Sequence, residues 1–301
     1  MAIVVVGSVA YDTVETPRER RERQLGGSAS FFAVAARGRG PVNCVGVVGD
    51  DFRQDDLDLL ARHADIAGIR RVTGQSFHWS GRYHDDLIER DTLATELGVF
   101  ADFQPEIPAA WREAEYLFLA NIHPALQAGV LDLMRGPRLV ALDTMNLWIK
   151  TTPDLLRAIL KRVDVLLVND GEARLLTGER SLARAAEAIR AMGPARVIVK
   201  KGEHGALFFG RDSVLAVPAL LLDEVVDPTG AGDCFAGGFM GSLAEAGIGR
   251  EAPDAAFRQA MLDGTVTASF CPEGFSVEGL LRVDDAAYAS RLRELRGLMT
   301  P

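Results

Sequence analysis

The segment Asp227-Pro228-Thr229-Gly230-Ala231-Gly232-Asp233-Cys234-Phe235-Ala236-Gly237-Gly238 holds the residue types that phosphoryl transfer needs. Two glycines and an alanine at the start of a helix leave backbone N–H groups bare, so an anion can approach them closely. The helix dipole adds partial positive charge at the same point. Asp233 follows one turn into the same helix, where a carboxylate can take the proton of an attacking hydroxyl. A plainer alternative is a helix start with glycines for a turn and an aspartate facing the dipole. For a shorter string that alternative would prevail.

Four further segments carry side chains or glycines of the same kind. Gly26-Gly27-Ser28-Ala29-Ser30 lies near the amino end, and residues 46–50 run into Asp51-Phe52. Asn169-Asp170-Gly171-Glu172 stands before an apolar run and is also a good helix capping box. Lys200-Lys201-Gly202-Glu203-His204-Gly205 is a glycine turn after a strand. In this order, together with D-x-x-G-A-G-D, these motifs resemble those of the ribokinase/PfkB carbohydrate kinases over nearly the full chain. Each motif alone is weak, and the ordered set is specific.

The resemblance implies an ATP- and Mg²⁺-dependent kinase acting on a hydroxyl of a small sugar, polyol or nucleoside. By it, Asp233 is the catalytic base, and the backbone of Gly230, Ala231 and Gly232 is the anion hole. Asn169 and Glu172 organise magnesium and its waters, a role compatible with capping because magnesium keeps most of its waters. Lys201, Gly202, Gly205 and Thr229 line the nucleotide site, although Lys201 reads equally well as a surface lysine. Gly264 lies on the helix that borders adenine in such kinases, with close helix packing as its other reading. Cys271-Pro272-Glu273-Gly274-Phe275-Ser276 occupies the place where relatives bind a monovalent cation such as K⁺. Asp12, Gly26 and Gly27 fall on the substrate side. There Phe31 replaces the asparagine many sugar kinases carry, which suits a nucleoside or a cyclitol. Asn146 is placed in the pocket as well, and Asn121, His123 and Asp143 also follow strand ends, where open α/β sheets bind ligands.

The elements that must hold these residues are legible as apolar runs. Ile3–Val6 and similar stretches at 42–48, 116–119, 139–142, 165–168 and 197–199 predict buried parallel strands. Helical stretches at 52–64, 125–134, 154–161 and 182–192 alternate with them, and the last part, 231–246, 252–270 and 284–298, is helical. The expectation is an α/β fold with a doubly wound, mainly parallel sheet forming one domain over 1–301. Residues 13–25 and 76–97 break the rhythm and are expected to form a small β-lid inserted in it. In the second, Phe77, Trp79 and Tyr83 alternate with Ser76, His78, Ser80 and Arg82, predicting one aromatic and one wet face. That face covers substrate or the lid of a second subunit, so a homodimer is an expectation.

Bulk properties narrow the field. The 301 residues carry a net charge of −9, and the most basic run, residues 18–23, is interrupted by Glu19 and Glu22, which argues against nucleic acid as partner. Cys44, Cys234 and Cys271 lie far apart without zinc spacing, as expected of a cytoplasmic protein. No stretch suits a membrane span, and the first six residues do not read as a signal peptide. A nicotinamide-dependent oxidoreductase lacks its G-x-G-x-x-G after a strand, and a Walker-type NTPase lacks its G-x-x-x-x-G-K-[ST]. A silent sugar-binding relative would be expected to have lost the aspartate of Gly-Ala-Gly-Asp.

Overall fold

The computed structural model describes residues 1–36 and 38–300. The chain opens with β1 (Ile3–Val6), β2 (Ala10–Glu15), β3 (Arg20–Gly26), α1 (Ser28–Ala35), β4 (Val42–Val48), α2 (Gln54–Ala61) and β5 (Asp65–Arg71). The next elements are β6 (His78–Tyr83), β7 (Arg90–Glu96), β8 (Tyr116–Leu119), α3 (Pro124–Leu133), β9 (Leu139–Asp143), α4 (Asn146–Thr151) and α5 (Pro153–Leu160). They are followed by β10 (Val165–Asn169), α6 (Asp170–Thr177), α7 (Leu182–Met192), β11 (Arg196–Lys200), β12 (Ala206–Phe209) and β13 (Val214–Val217). The carboxy-terminal part is helical, with α8 (Ala231–Ala246), α9 (Phe257–Phe270), α10 (Glu278–Leu281) and α11 (Asp285–Leu298).

Nine strands form one sheet in the order β13-β12-β11-β10-β9-β8-β1-β4-β5. All neighbours pair in parallel except β11 with β12 and β12 with β13. The strands at its centre are unbroken apolar runs because both faces are covered by helices. On one face Phe32 of α1 stacks on Phe118 of β8 with ring centres 4.5 Å apart, and Phe239 of α8 joins that cluster. On the other, Leu117, Leu142 and Val168 pack with Leu156 and Ile159 of α5. The result is an α/β fold with a mainly parallel sheet, in which the carboxyl ends of β1, β9, β10 and β11 share one edge. Among the described residues no helix is long and apolar enough to cross a membrane.

Four strands leave this sheet and form a second one, in the order β3-β2-β6-β7. Asp12 belongs to β2 of the small sheet, because the main-sheet strand stops at Val6. The aromatic face differs from its prediction. Phe77 precedes β6 and stacks on Phe100 at 5.3 Å. Ser76 and Ser80 are buried, while Trp79 is half-buried. A register shift between Ser80 and Gly81 interrupts strict alternation, and Ser76 is drawn inward by its hydroxyl, which accepts from the N–H of Gly49 and donates to Asp51. Finally, the helix expected over 252–270 starts as a 3₁₀ turn after Pro253 and becomes α-helical only at Phe257.

Candidate active site

The start of α8 is held open by its neighbours. Gly230 has φ 81°, and a Cβ there would meet the Phe31 ring at 2.5 Å, so backbone conformation and space both require glycine. Phe31 itself is only 2% exposed and supports this turn from α1. Thr229 is fixed three ways. Its N–H donates to Asp227 Oδ1 at 2.9 Å, its hydroxyl meets Tyr83 Oη of β6 at 3.1 Å, and its carbonyl accepts from Cys271 Sγ at 3.2 Å. The small sheet is thereby tied to the turn before α8. Asp233 lies in the first turn of that helix, with Ala231 and Gly232 leading to it.

Carboxylates converge on this point. Burial and then Asp143 push Asp233 up to about 8, with Lys200 working in the opposite direction. Asp12 is pushed to about 7, by burial and then by Asp227, while the N–H of Gly27 favours its charged form. Asp227, only 1% exposed, rises to about 6 through burial despite hydrogen bonds from Thr229. So much desolvated negative charge in one cleft calls for cationic partners.

Asn169 and Glu172 form the capping box that the spacing predicts. Asn169 Oδ1 accepts from the Glu172 N–H at 2.7 Å, and Glu172 Oε2 accepts from the Asn169 N–H at 2.8 Å. Glu172 is pushed to about 7, chiefly by burial and then by Asp143. Across from it, Lys200 Nζ lies 2.5 Å from Asp143 Oδ2. Lys201 starts the 3₁₀ turn Gly202–His204, and its N–H donates to the Gly205 carbonyl at 2.8 Å. Gly264 is buried against Phe235 in the contact between α8 and α9. Asn146 is exposed at the first position of α4.

The sequence reading passed over three charged groups here. Lys200 was overlooked for its neighbour Lys201, because a Lys-Lys pair does not reveal which ammonium turns inward; the ion pair of Lys200 with Asp143 does. Asp227 opens the glycine motif and had been given no role. Arg90 of β7 sits 5.5 Å from the Trp79 ring centre and 5.9 Å from that of Tyr83, and it lowers Asp12, Asp227, Glu172 and Asp233. Its only signal was a lone arginine in a charged segment.

Comparison with known proteins decides what this arrangement belongs to. The pfkB family carbohydrate kinase profile matches residues 2–271. The chain belongs to the pfkB family of carbohydrate kinases. This pfkB-family kinase is 34% identical over 246 residues to the cytidine kinase of Thermococcus kodakarensis, covering 79% of this chain and 87% of that one. Its fold matches the Burkholderia thailandensis nucleoside kinase solved with inosine, with a TM-score of 0.75 and 21% identity over 98% of this chain and 99% of the other. It also matches the ribokinase of Thermotoga maritima, with a TM-score of 0.73 and 21% identity over 98% and 99% of the two chains. The kinase is thus an ATP-dependent phosphotransferase with a hydroxyl acceptor, of the sugar and nucleoside kinase group.

Kinases of this family use ATP with Mg²⁺. The donor set here suits a hydrated ion. Glu172 keeps one carboxylate oxygen outside the capping box, and Asn169 has its oxygen engaged. Among the described residues no three His, Cys, Asp or Glu side chains form a cage. Magnesium bound largely through water and substrate phosphates needs no such cage.

Proposed function

We propose that this kinase transfers the γ-phosphate of ATP to a ribose hydroxyl of a nucleoside, with cytidine-like substrates foremost. The observation that carries this reading is the meeting of Asp12 and Asp233 beside the glycine turn of α8. Asp12 when ionised raises Asp233, and Asp227 in turn raises Asp12, which supports a shared neighbourhood for these carboxylates. The cytidine kinase relative supports the choice of acceptor.

In this mechanism Asp12 binds acceptor hydroxyls, and Gly26 and Gly27 let the substrate-side backbone come close. Asp233 accepts the proton of the attacking hydroxyl. The N–H groups of Gly230, Ala231 and Gly232 take up charge that grows on the transferring phosphoryl group. Asn169 and Glu172 hold hydrated magnesium, which supplies charge neutralisation to the phosphates. Gly202, Gly205 and Thr229 flank the nucleotide, with Lys201 at the rim. A monovalent cation such as K⁺ beside the 271–276 turn belongs to the same reading, and the small sheet acts as the lid of a single kinase domain. The bond from Tyr83 to Thr229 supports that role, since it couples lid position to the phosphate turn.

A coupled ADP-release screen over pentoses, hexoses, nucleosides and inositols tests the substrate class. Cytidine and related nucleosides should give the highest kcat/KM. Turnover confined to free sugars or inositols would reject a nucleoside acceptor.

A further inference from the structure

We propose that Lys200 is a phosphate-binding lysine, parked on Asp143 in the nucleotide-free enzyme and turned to the terminal phosphate when ATP binds. Asp143, Asn169 and Lys200 end the three adjacent strands β9, β10 and β11, and Asn169 pairs in register with Lys200. The ammonium reaches across the end of β10 to Asp143 Oδ2 at 2.5 Å. Its stem runs along the start of α8: a Cβ on Gly232 would lie 3.1 Å from Nζ, 3.7 Å from Cε and 3.8 Å from Cδ.

That location is unfavourable for a cation with no anion to meet. Burial disfavours its charge, and the positive end of the α8 dipole repels it. Asp143, Glu172 and Asp233 together outweigh both effects and keep the amine protonated. The same three carboxylates would be strained by an incoming polyphosphate unless a mobile positive charge stood among them. Lysine suits this better than arginine, because a point charge on a flexible stem can exchange one oxygen partner for another. A tie between β9 and β11 would serve the fold equally well if built from apolar groups, since buried ion pairs seldom stabilise more than hydrophobic replacements do.

The assignment rests on reading the start of α8 as the phosphate cradle, but its test is independent of turnover. Dissociation constants for ATP, ADP and AMP are measured on wild type, Lys200→Met and Lys200→Arg, with thermal melts alongside. The ratio of ATP to AMP affinity should fall about 10- to 100-fold in Lys200→Met, the size of one charge-assisted hydrogen bond, and recover in part in Lys200→Arg. Equal losses for ATP and AMP, or none, overturn the proposal. If Lys200→Met does not fold, the ratio is read in Asp143→Asn, which frees the lysine: a ratio that holds or rises supports the proposal, and a fall overturns it. Should Asp233→Asn keep full turnover while Lys200→Met loses ATP selectivity, the base reading fails and the lysine stands.

Discussion

The Asp12 carboxylate occupies the space that a side chain on Gly26 would fill: a Cβ at position 26 would come 2.2 Å from Asp12 Oδ2 and 2.3 Å from its carboxyl carbon. The glycine of β3 and the aspartate of β2 are thus one device, with the missing methyl setting the carboxylate's position. Gly26→Ala should displace Asp12 and raise the acceptor KM roughly 10- to 100-fold, the worth of a hydrogen bond to a charged group. The ATP KM should change little. Steady-state kinetics with each substrate varied in turn decide it, and equal rises in both would show that the substitution deforms the whole cleft.

Four carboxylates make stability depend on pH in a defined direction. Asp227, Asp12, Glu172 and Asp233 lie at about 6, 7, 7 and 8 in the folded protein. An unfolded carboxylate titrates near roughly 4. Between those values the folded protein holds protons that the unfolded chain has released. The stability they contribute is fully present below about pH 4 and is lost as pH rises through the folded values. The Tm of nucleotide-free protein should therefore fall between pH 5 and 8 from these groups. Asp233→Asn, which copies the protonated form, should narrow that fall and melt above wild type at pH 8. Parallel Tm curves for the two proteins would contradict the assigned shift.

Glu172 has two duties that one substitution separates. Glu172→Gln keeps an oxygen able to accept from the Asn169 N–H, so the capping box survives in altered form. Loss of the negative charge should raise the Mg²⁺ concentration needed for half-maximal activity by about tenfold, with the acceptor KM unchanged. A drop in Tm with unchanged magnesium dependence would leave capping as its sole role.

Much of this was legible in the sequence, for a physical reason. Strands buried on both faces, such as Ile3–Val6 and Val165–Asn169, need continuous apolar residues, and helices between them need a different period. Capping by Asn169 and Glu172 is local and could be read from four residues. What stayed hidden depends on tertiary contact. β12 and β13 are short strands at one side of the sheet, and β5, with the sequence DIAGIRR, is too polar to announce itself. Lys200 is the last residue of β11 and Lys201 caps the following 3₁₀ turn, a boundary that two identical adjacent residues do not mark in the sequence. Phe31 was read as a substrate contact, while its ring packs against Gly230, a partner 199 positions along the chain that no spacing rule connects.

The lid should govern coupling. Trp79 is stacked by Arg90 and packs near the cluster of Val14, Tyr83 and Phe275. Trp79→Ala should lower the ratio of acceptor phosphorylation to ATP hydrolysis without acceptor, with ATP affinity nearly unchanged, because a loosened cover admits water. Unaltered coupling together with a changed oligomeric state would assign Trp79 to a subunit interface.

Asp233 as the base that accepts the hydroxyl proton is the centre of the account, and Asp233→Asn tests it most directly. The amide keeps the size and position of the carboxylate at the start of α8, so the phosphate turn should stay intact. The measurement is kcat at saturating ATP and acceptor, with ATP affinity determined on the same preparation. The account predicts a kcat lower by roughly 10²–10⁴-fold, the usual contribution of a positioned base, with ATP affinity close to wild type. Near-normal kcat in the Asn variant would contradict it.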